Sequence, residues 1–204
     1  MTLQLASIVE GHGDVKAVPV LVRRIASALD PAMALRMLPP LRVPRYKLVK
    51  TGEVERAVDL AARKTGGKGA VLVLIDSKDD CPAQTGPDLL CRANAARSDV
   101  PIGVVLAKRE YESWFLAAAE SLRGRRGLAD DLTAPVEPES IRGAKEWLSD
   151  RMASGVKYRE VLDQPALTDV FDLSVARRAD SFDKCYREIE RLLSHFQQRG
   201  QPDG

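Results

Sequence analysis

Residues 70–76 read AVLVLID, an unbroken run of six apolar residues followed at once by an aspartate. A run of this kind, without polar alternation, is typical of a strand that is covered on both faces. Residues 3–9, LQLASIV, and 102–107, IGVVLA, also have the character of strands. The segment 34–43 contains a further strand that two prolines interrupt, which indicates a short or edge strand. The sequence therefore predicts a mostly parallel sheet of about four strands.

Segments with helical spacing of apolar residues separate these strands. The spacing predicts helices over residues 14–29, 53–64 and 88–97, and a further helix from the segment after residue 107. Alternation of strands and helices predicts a Rossmann-like α/β fold with helices on both faces of the sheet. Beyond residue 123 the pattern changes to a loop and two amphipathic helices, over residues 141–152 and 181–196. We therefore divide the chain into an α/β domain, residues 1–123, and a helical extension, residues 124–204, that packs on it.

The overall charge gives little support for a surface that coats nucleic acid. The chain has 31 Lys and Arg against 29 Asp and Glu, a net charge of +2. Affinity for nucleic acid would therefore come from local basic groups, whose alternative role is that of ordinary solvated surface. The candidate nucleic-acid-binding residues are Arg45, Lys47 and Lys50 in the first half of the chain, and Lys145 and Lys157 in the extension.

The sequence shows no sign of secretion or membrane insertion. Its first residues lack the basic region of a signal peptide, and no apolar run reaches the ~18 residues that a membrane span needs. The three cysteines form neither a Cys-x-x-Cys pair nor a disulfide framework. We expect a cytoplasmic protein with reduced thiols and no membrane partner.

Residues 10–14, EGHGD, end the first strand on an acid and begin the next helix with another. Glycines let the backbone turn tightly where a ligand approaches closely. The motif nevertheless lacks the third glycine of a dinucleotide fingerprint and the Gly-Lys-Ser/Thr of a P-loop. Its distinguishing feature is therefore a pair of carboxylates, and its role depends on whether further acids lie at the same place.

Acidic residues follow three of the predicted strands. They are Glu10 and Asp14 after the first strand, Asp76, Asp79 and Asp80 after the third, and Glu110 and Glu112 after the fourth. Because ligands bind at the carboxyl ends of parallel strands, we expect these acids to lie at one edge of the sheet. Any one of them alone is explained as a helix cap or a solvated turn residue. Together they predict a site for Mg²⁺ or Mn²⁺, which prefer carboxylate oxygens and compensate their charge.

An acid in the first turn combined with an acidic motif after the third strand resembles the Toprim fold. That fold is the metal-binding domain of topoisomerases, DnaG-type primases and the overcoming-lysogenization-defect nucleases. The motifs EGHGD, IDSKDDCP and KREYESWFLA are more similar still to a group of bacterial Toprim-like proteins, domain of unknown function 4276. The later segments KYREVLDQPALTDVFD and DSFDKCYREI also resemble that group, so that the resemblance covers nearly the whole chain.

The resemblance assigns roles to individual acids. It implies that Glu10 and Asp14 are the nuclease pair of the first turn, and that Asp76 is the first acid of an Asp-x-Asp motif. Either of the two glutamates after the fourth strand would be the later acidic ligand. The second acid of Asp-x-Asp is replaced by Lys78. Either Asp79 or Asp80 supplies the missing oxygen, or the ammonium of Lys78 takes the place of a metal ion.

Two functions are therefore expected. The leading one is a Mg²⁺- or Mn²⁺-dependent nuclease that hydrolyses nucleic acid, with DNA the favoured substrate, and Glu10, Asp76 and Lys78 are its candidate catalytic residues. Related nucleases join this domain to an ATPase, and because these 204 residues contain no P-loop, a separately encoded ATPase partner in phage defence is implied. The alternative is a Toprim-like scaffold, disabled by Lys78, that binds a partner or nucleic acid without cleavage.

Overall fold

A computed structural model describes residues 2–199 of the chain, with side chains as far as residue 195. Residue 1 and residues 200–204, which the two predicted domains include, lie outside the described range. The elements in chain order are β1 (Leu3–Val9), α1 (His12–Leu29), β2 (Leu35–Met37), β3 (Leu41–Arg42), α2 (Arg45–Leu48), α3 (Glu53–Lys64), β4 (Ala70–Asp76), α4 (Pro82–Ala96), β5 (Ile102–Ala107), α5 (Ser113–Ala117), α6 (Ala144–Ser149), α7 (Glu160–Thr168), α8 (Leu173–Ala176) and α9 (Asp180–Arg199). Short 3₁₀ helices lie at Ala119–Leu122, Arg125–Gly127 and Pro138–Ser140.

The five strands form one parallel sheet, which confirms the predicted α/β fold. Its order is β2-β1-β4-β5, and β3 pairs with β1 beyond the end of β2. The fifth strand arises because Pro39 and Pro40, which lack the backbone N–H of a ladder, split the predicted second strand into β2 and β3. The chain passes from β1 to one side of the sheet and then returns to place β4 on the other side. The strand order therefore reverses between β1 and β4.

Two apolar layers cover the sheet. On one face, Leu5 of β1 and Leu72 of β4 belong to a core that includes α1 and α9. On the other face, Ile8 and Val73 of the same strands belong to a core that includes α3 and α4. The alternation of residues between the two layers follows from the two-residue period of a strand. Both faces are apolar, which explains why the strands read as continuous apolar runs.

The C-terminal helices pack directly on the sheet domain. Helix α7 lies along α1, and α9 contacts both β5 and α1. Five buried aromatic rings join the two regions, with successive ring centroids 4.6 to 5.6 Å apart. The rings are Tyr111, Trp114, Phe115, Phe171 and Phe182. The apolar core is thus continuous across residue 123, and the division into two domains stays a prediction.

Several helix limits differ from the sequence-based expectation. Helix α4 begins at Pro82, six residues before the predicted start at residue 88. Proline fits the first helical turn because it needs no hydrogen bond there, so Pro82 favours this early start. The helix expected over residues 141–152 is only α6, which begins after the left-handed Gly143. Helices α7 and α8 were not predicted.

None of the helices in residues 2–199 combines the length and the apolar composition that a membrane span requires. The three cysteines are free thiols. Cys81 and Cys91 are exposed, whereas Cys185 is buried in the core. Burial raises the pKa of the Cys185 thiol, so that it remains protonated at neutral pH.

Candidate functional site

A pocket lies at the carboxyl ends of β1 and β4, where the strand order of the sheet reverses. This reversal is the position at which open α/β sheets bind their ligands. The pocket has a volume of about 100 Å³ and is lined by Glu10, Gly11, Asp14, Asp76, Lys78, Tyr111, Glu112, Lys145, Glu160 and Gln164. We call it the acidic pocket. Four of the seven acids that the sequence singled out line it, namely Glu10, Asp14, Asp76 and Glu112.

Glu10 and Asp76 occupy the centre of the strand reversal because β1 and β4 are neighbours. Asp76 Oδ1 accepts a hydrogen bond from the backbone N–H of Tyr111 at 2.9 Å. Glu10 Oε2, in contrast, is buried and has no hydrogen-bond partner. Burial and then the negative charge of Asp76 raise the pKa of the Glu10 carboxyl above its usual range. A buried oxygen without a partner beside a second carboxylate is the feature that a bound cation would satisfy.

Asp14 has a structural role that answers the question raised by the EGHGD motif. It lies in the first turn of α1, where Oδ2 accepts a hydrogen bond from the backbone N–H of Gly11 at 2.8 Å. Oδ1 accepts a second from Gln164 Nε2 of α7 at 2.8 Å. Burial and the charge of Asp76 raise the pKa of Asp14. Asp14 therefore caps α1 and ties it to α7, and both of its oxygens already have donors.

Lys78 points into the acidic pocket. Its Nζ donates a hydrogen bond to Asp76 Oδ2 at 2.8 Å and lies 3.9 Å from Glu110 Oε1. Burial disfavours its charge, but the charges of Asp76 and Glu10 outweigh this effect and raise the pKa of Lys78. The residue has a left-handed backbone with φ of +54°, which turns the side chain back towards Asp76. The ammonium of Lys78 therefore lies where a metal ion bound to Asp76 Oδ2 would lie, as the second of the two expectations for this residue has it.

Glu112 and Lys145 form the inner wall of the pocket. Glu112 is only 1% exposed, and its Oε1 accepts a hydrogen bond from the Tyr158 hydroxyl at 2.9 Å. Burial raises the pKa of Glu112 to about 8. The ammonium of Lys145 favours the charged form and lowers the pKa, but by less than burial raises it. Lys145 Nζ lies 3.9 Å from Glu112 and donates a hydrogen bond to Glu160 Oε2 at 2.6 Å. Glu112 therefore carries a proton for much of the time at neutral pH.

The charges of the acidic pocket do not balance. It contains five carboxyl groups and two lysines, so that full ionisation leaves three negative charges in excess. Protonation of Glu112, whose pKa is about 8, reduces the excess to two at neutral pH. Carboxylates crowded in a pocket stay ionised only where a cation compensates them. One divalent cation would neutralise this excess.

Three of the predicted acidic ligands lie outside the acidic pocket. Asp79 Oδ1 binds Arg109 and Arg142, at 2.6 and 2.8 Å. Asp80 is paired with Arg45. Glu110 lines a neighbouring depression, where its Oε2 is buried without a hydrogen-bond partner. Asp79 and Asp80 thus pair with arginines and do not line the acidic pocket, and their role as metal ligands stays a prediction.

The predicted nucleic-acid-binding residues are dispersed. Arg45 and Lys47 belong to α2, and Lys50 follows it. The ammonium groups of Lys47 and Lys50 lie 6.0 and 5.9 Å from the ring of the exposed Tyr46. Lys145 lines the acidic pocket, as described above. Lys157 is exposed and is not a lining residue of that pocket.

Sequence reasoning missed the contribution of α7. Glu160 and Gln164 are four residues apart and therefore lie on one face of that helix. Glu160 Oε1 accepts a hydrogen bond from the backbone N–H of Gly13 at 3.3 Å, and Gln164 binds Asp14. A Cβ atom on Gly13 would lie 1.9 Å from Gln164 Oε1, so only glycine allows α7 to approach α1 this closely. The i, i+4 pair of polar residues was the available signal.

The carboxylate and amide oxygens that line the acidic pocket are of the type that a hard divalent cation binds, although they do not surround a common point in this structure. Within residues 2–199 no three His, Cys, Asp or Glu side chains form a ready-made metal-binding group. Three of the carboxylate oxygens already accept hydrogen bonds, one of Asp76 from Lys78 and those of Asp14 from Gln164 and Gly11. Two buried oxygens nevertheless lack donors, Glu10 Oε2 and Gln164 Oε1. Carboxylate and amide oxygens suit Mg²⁺ and Mn²⁺, which bind through few protein ligands and retain water.

The fold and the site together define an α/β protein with a Rossmann-like parallel sheet and an acidic pocket at its strand reversal. The family model described as Domain of unknown function (DUF4276) matches residues 9–190. The chain belongs to this family. Comparison with curated proteins and comparison with solved structures both produced no match.

Proposed function

We propose that this protein is a Toprim-like phosphodiesterase that uses Mg²⁺ or Mn²⁺ to hydrolyse nucleic acid, with DNA the favoured substrate. The observation that carries the proposal is the buried, unpartnered Glu10 Oε2 beside Asp76 at the strand reversal. A buried carboxylate oxygen that lacks a hydrogen-bond partner and lies next to a second carboxylate is energetically costly. A divalent cation supplies both the missing partner and the missing charge.

Glu10 and Asp76 are the residues that would hold the cation, with Gln164 contributing the free oxygen of its amide. When bound, the metal ion would lower the pKa of a coordinated water and polarise the phosphate. The relationship to the Toprim domains of overcoming-lysogenization-defect nucleases is part of the proposal. It is supported by the order of the acids along the chain, EGHGD before IDSKDD, and by their common position at one sheet edge.

The other groups in the acidic pocket would act on charge and protons. Lys78 is a positive charge beside Asp76, and in the proposal it moves off that carboxylate when the metal ion binds and compensates charge on the phosphate, as a second ion would. Lys145 pairs with Glu160 and so compensates a negative charge that would otherwise repel an anionic substrate. Glu112 holds a proton near neutral pH, which suits a general acid that protonates the departing oxygen.

The proposal is tested by cleavage of supercoiled plasmid and of circular single-stranded DNA, each in Mn²⁺ and in EDTA. We expect cleavage that requires Mn²⁺ and that Glu10→Gln reduces by about 10²-fold or more. Glu53→Gln is the matched control, because it removes one carboxylate from the first turn of α3, at a residue that does not line the acidic pocket. Equal activity of the Glu10 and Glu53 variants, or cleavage that persists in EDTA, would contradict the proposal.

A second candidate function rests on the ion pair between Lys78 and Asp76. A lysine that pairs with Asp76 competes with a metal ion for that carboxylate, which favours a scaffold that binds nucleic acid or a partner without cleaving it. The two functions separate on metal dependence. The scaffold predicts binding of DNA that EDTA leaves unchanged and no cleavage at any Mn²⁺ concentration.

We further propose that the protein works with a separately encoded ATPase in defence against phage. The support is the resemblance to nucleases that join this domain to an ATPase, together with the lack of a P-loop in these 204 residues. A cytoplasmic location follows from a nucleic-acid substrate and agrees with the three free thiols. Co-purification with the product of a neighbouring ATPase gene tests the partnership, and separate elution of the two proteins in ATP and Mg²⁺ contradicts it.

A further inference from the structure

A second depression adjoins the acidic pocket and is rich in cations. It has a volume of about 180 Å³ and is lined by Lys78, Asp79, Arg109, Glu110, Arg142 and Gly143. Lys78 lines both cavities, so that they share a wall. Three segments build the depression: the turn after β4, the turn after β5, and the approach to α6. We call it the arginine depression.

Asp79 bridges the two arginines of this depression. Its Oδ1 lies 2.6 Å from Arg109 Nη1 and 2.8 Å from Arg142 Nη2. The side chains of Asp79 and Arg142 are each 70% exposed. Exposed ion pairs of this kind contribute little to stability and are easily exchanged. A carboxylate therefore occupies the position between two guanidinium groups without being locked there.

The backbone holds the cations at this place. Arg109 has φ of +66° and Lys78 has φ of +54°, both in the left-handed region that side chains other than glycine rarely adopt. The two turns are joined, since the N–H of Lys78 donates to the Arg109 carbonyl at 3.1 Å. The N–H of Arg109 donates to Ser77 Oγ at 3.0 Å. Such conformations persist where surrounding contacts enforce them, and they occur preferentially at ligand sites.

We propose that Arg109 and Arg142 form a phosphate-binding subsite for nucleic acid, and that Asp79 is an internal anion which a backbone phosphate displaces. Guanidinium groups bind phosphate oxygens through paired hydrogen bonds, in the geometry with which they bind a carboxylate. The three cations outnumber the two acids of the depression, and release of Asp79 strengthens that excess. The inference rests on the proposed function, because the subsite would hold a phosphate next to the one in the acidic pocket.

Glu110 lies at the boundary between the two cavities. Its carboxylate lies 3.9 Å from Lys78 Nζ and lines the same depression. Because Lys78 lines both cavities, a phosphate in the arginine depression would be a neighbour of the phosphate in the acidic pocket. The subsite is therefore assigned to an internal phosphate of a strand rather than to free phosphate.

The test measures binding of a fluorescent single-stranded DNA dodecamer by anisotropy in EDTA, so that cleavage plays no part. Asp79→Asn should tighten binding about threefold, because it weakens both internal ion pairs. Arg142→Ala should weaken binding and reduce the slope of log K against log salt by about 0.7, the value for one phosphate contact on a single strand.

The chain provides a matched control in α3. Asp59 also bridges two arginines, Arg63 at 2.9 Å and Arg97 at 3.1 Å, but none of the three lines the arginine depression or the acidic pocket. Asp59→Asn and Arg63→Ala should leave both affinity and salt slope unchanged. The subsite is overturned if the Asp79 and Arg142 variants behave like these two controls.

Three further results separate the possible failures. If Asp79→Asn tightens the binding of inorganic phosphate but not of the dodecamer, the assignment to a strand is overturned. If the variants change DNA binding as expected while no Mn²⁺-dependent cleavage is found, the subsite stands and the phosphodiesterase does not. If cleavage is found and Asp79→Asn binds DNA like wild type, the phosphodiesterase stands and the subsite does not.

Discussion

Lys78 controls how strongly the acidic pocket binds a divalent cation, and two substitutions separate its effects. Lys78→Asn removes the ammonium, and Lys78→Asp also adds a carboxylate that restores the Asp-x-Asp motif. Both replacements suit the left-handed backbone at φ of +54°, because Asn and Asp adopt that region more readily than lysine does. The backbone of the turn should therefore be retained in both variants.

The expected magnitude follows from the position of the ammonium. Lys78 Nζ lies 2.8 Å from Asp76 Oδ2, so a metal ion on that oxygen would be a close neighbour of the lysine charge. Like charges about 4 Å apart repel by ~4 kcal/mol at an effective dielectric constant of about 20. The lysine side chain is 42% exposed, and screening by solvent lowers this cost. We take ~1.4 kcal/mol per charge, which corresponds to about tenfold in affinity for Lys78→Asn and more for Lys78→Asp.

Calorimetric titration with Mn²⁺ measures the metal affinity of wild type, of Lys78→Asn, of Lys78→Asp and of a control variant directly. Lys68→Asn is the matched control, because it removes the same charge from an exposed position outside the acidic pocket. We expect the order Lys78→Asp, then Lys78→Asn, then wild type and the control together. If all four proteins bind Mn²⁺ equally, Lys78 does not compete with the cation and the reasoning is refuted.

Three further predictions follow from the contacts of the site. In EDTA, Glu10→Gln should raise Tm by about 2 to 4 °C in a melting experiment, because it relieves roughly 1 kcal/mol of repulsion between Glu10 and Asp76. Asp76→Asn should instead lower Tm, because Lys78 loses its ion-pair partner. Folding raises the pKa of Glu112 from 4.5 to about 8, so the folded state binds the extra proton and its stability falls as pH rises between these values. Urea unfolding should show that the free energy of unfolding falls by about 2 kcal/mol between about pH 6 and 8, and that Glu112→Gln removes this fall. The same pH dependence in Glu112→Gln as in wild type would contradict the raised pKa of Glu112. Gly13→Ala should destabilise the protein by about 1–3 kcal/mol, because its Cβ would lie 1.9 Å from a glutamine oxygen of α7, while Gly86→Ala in α4, with 3.8 Å of room, should be neutral or stabilising.

The parallel sheet could be predicted because its strands are apolar on both faces. The run 70–75 shows this directly, since its residues alternate between two buried layers and none faces water. The same topology brought Glu10 and Asp76 to one edge, because both follow neighbouring parallel strands. These inferences need only the local pattern and the geometry of a parallel sheet.

The rest of the site depends on contacts that no local pattern reveals. Gln164 meets Asp14 across 150 residues of sequence, and this contact exists only because α7 packs along α1. Likewise, Asp79 and Lys78 are adjacent in sequence, but Lys78 pairs with Asp76 whereas Asp79 pairs with two arginines, and the backbone at Lys78 is left-handed. A lysine gives no sequence signal for such a conformation, which is why both expectations for this turn stayed open.

The central claim is that Glu10 and Asp76 hold a divalent cation. The most direct test is anomalous scattering from crystals of the wild-type protein soaked in Mn²⁺. We predict a peak in the acidic pocket within coordinating distance of Glu10 Oε2 and an Asp76 oxygen, with the Lys78 ammonium moved off Asp76. A pocket without a peak, in which Lys78 still donates its hydrogen bond to Asp76 at a Mn²⁺ concentration that saturates the Lys78→Asp variant, would contradict the claim.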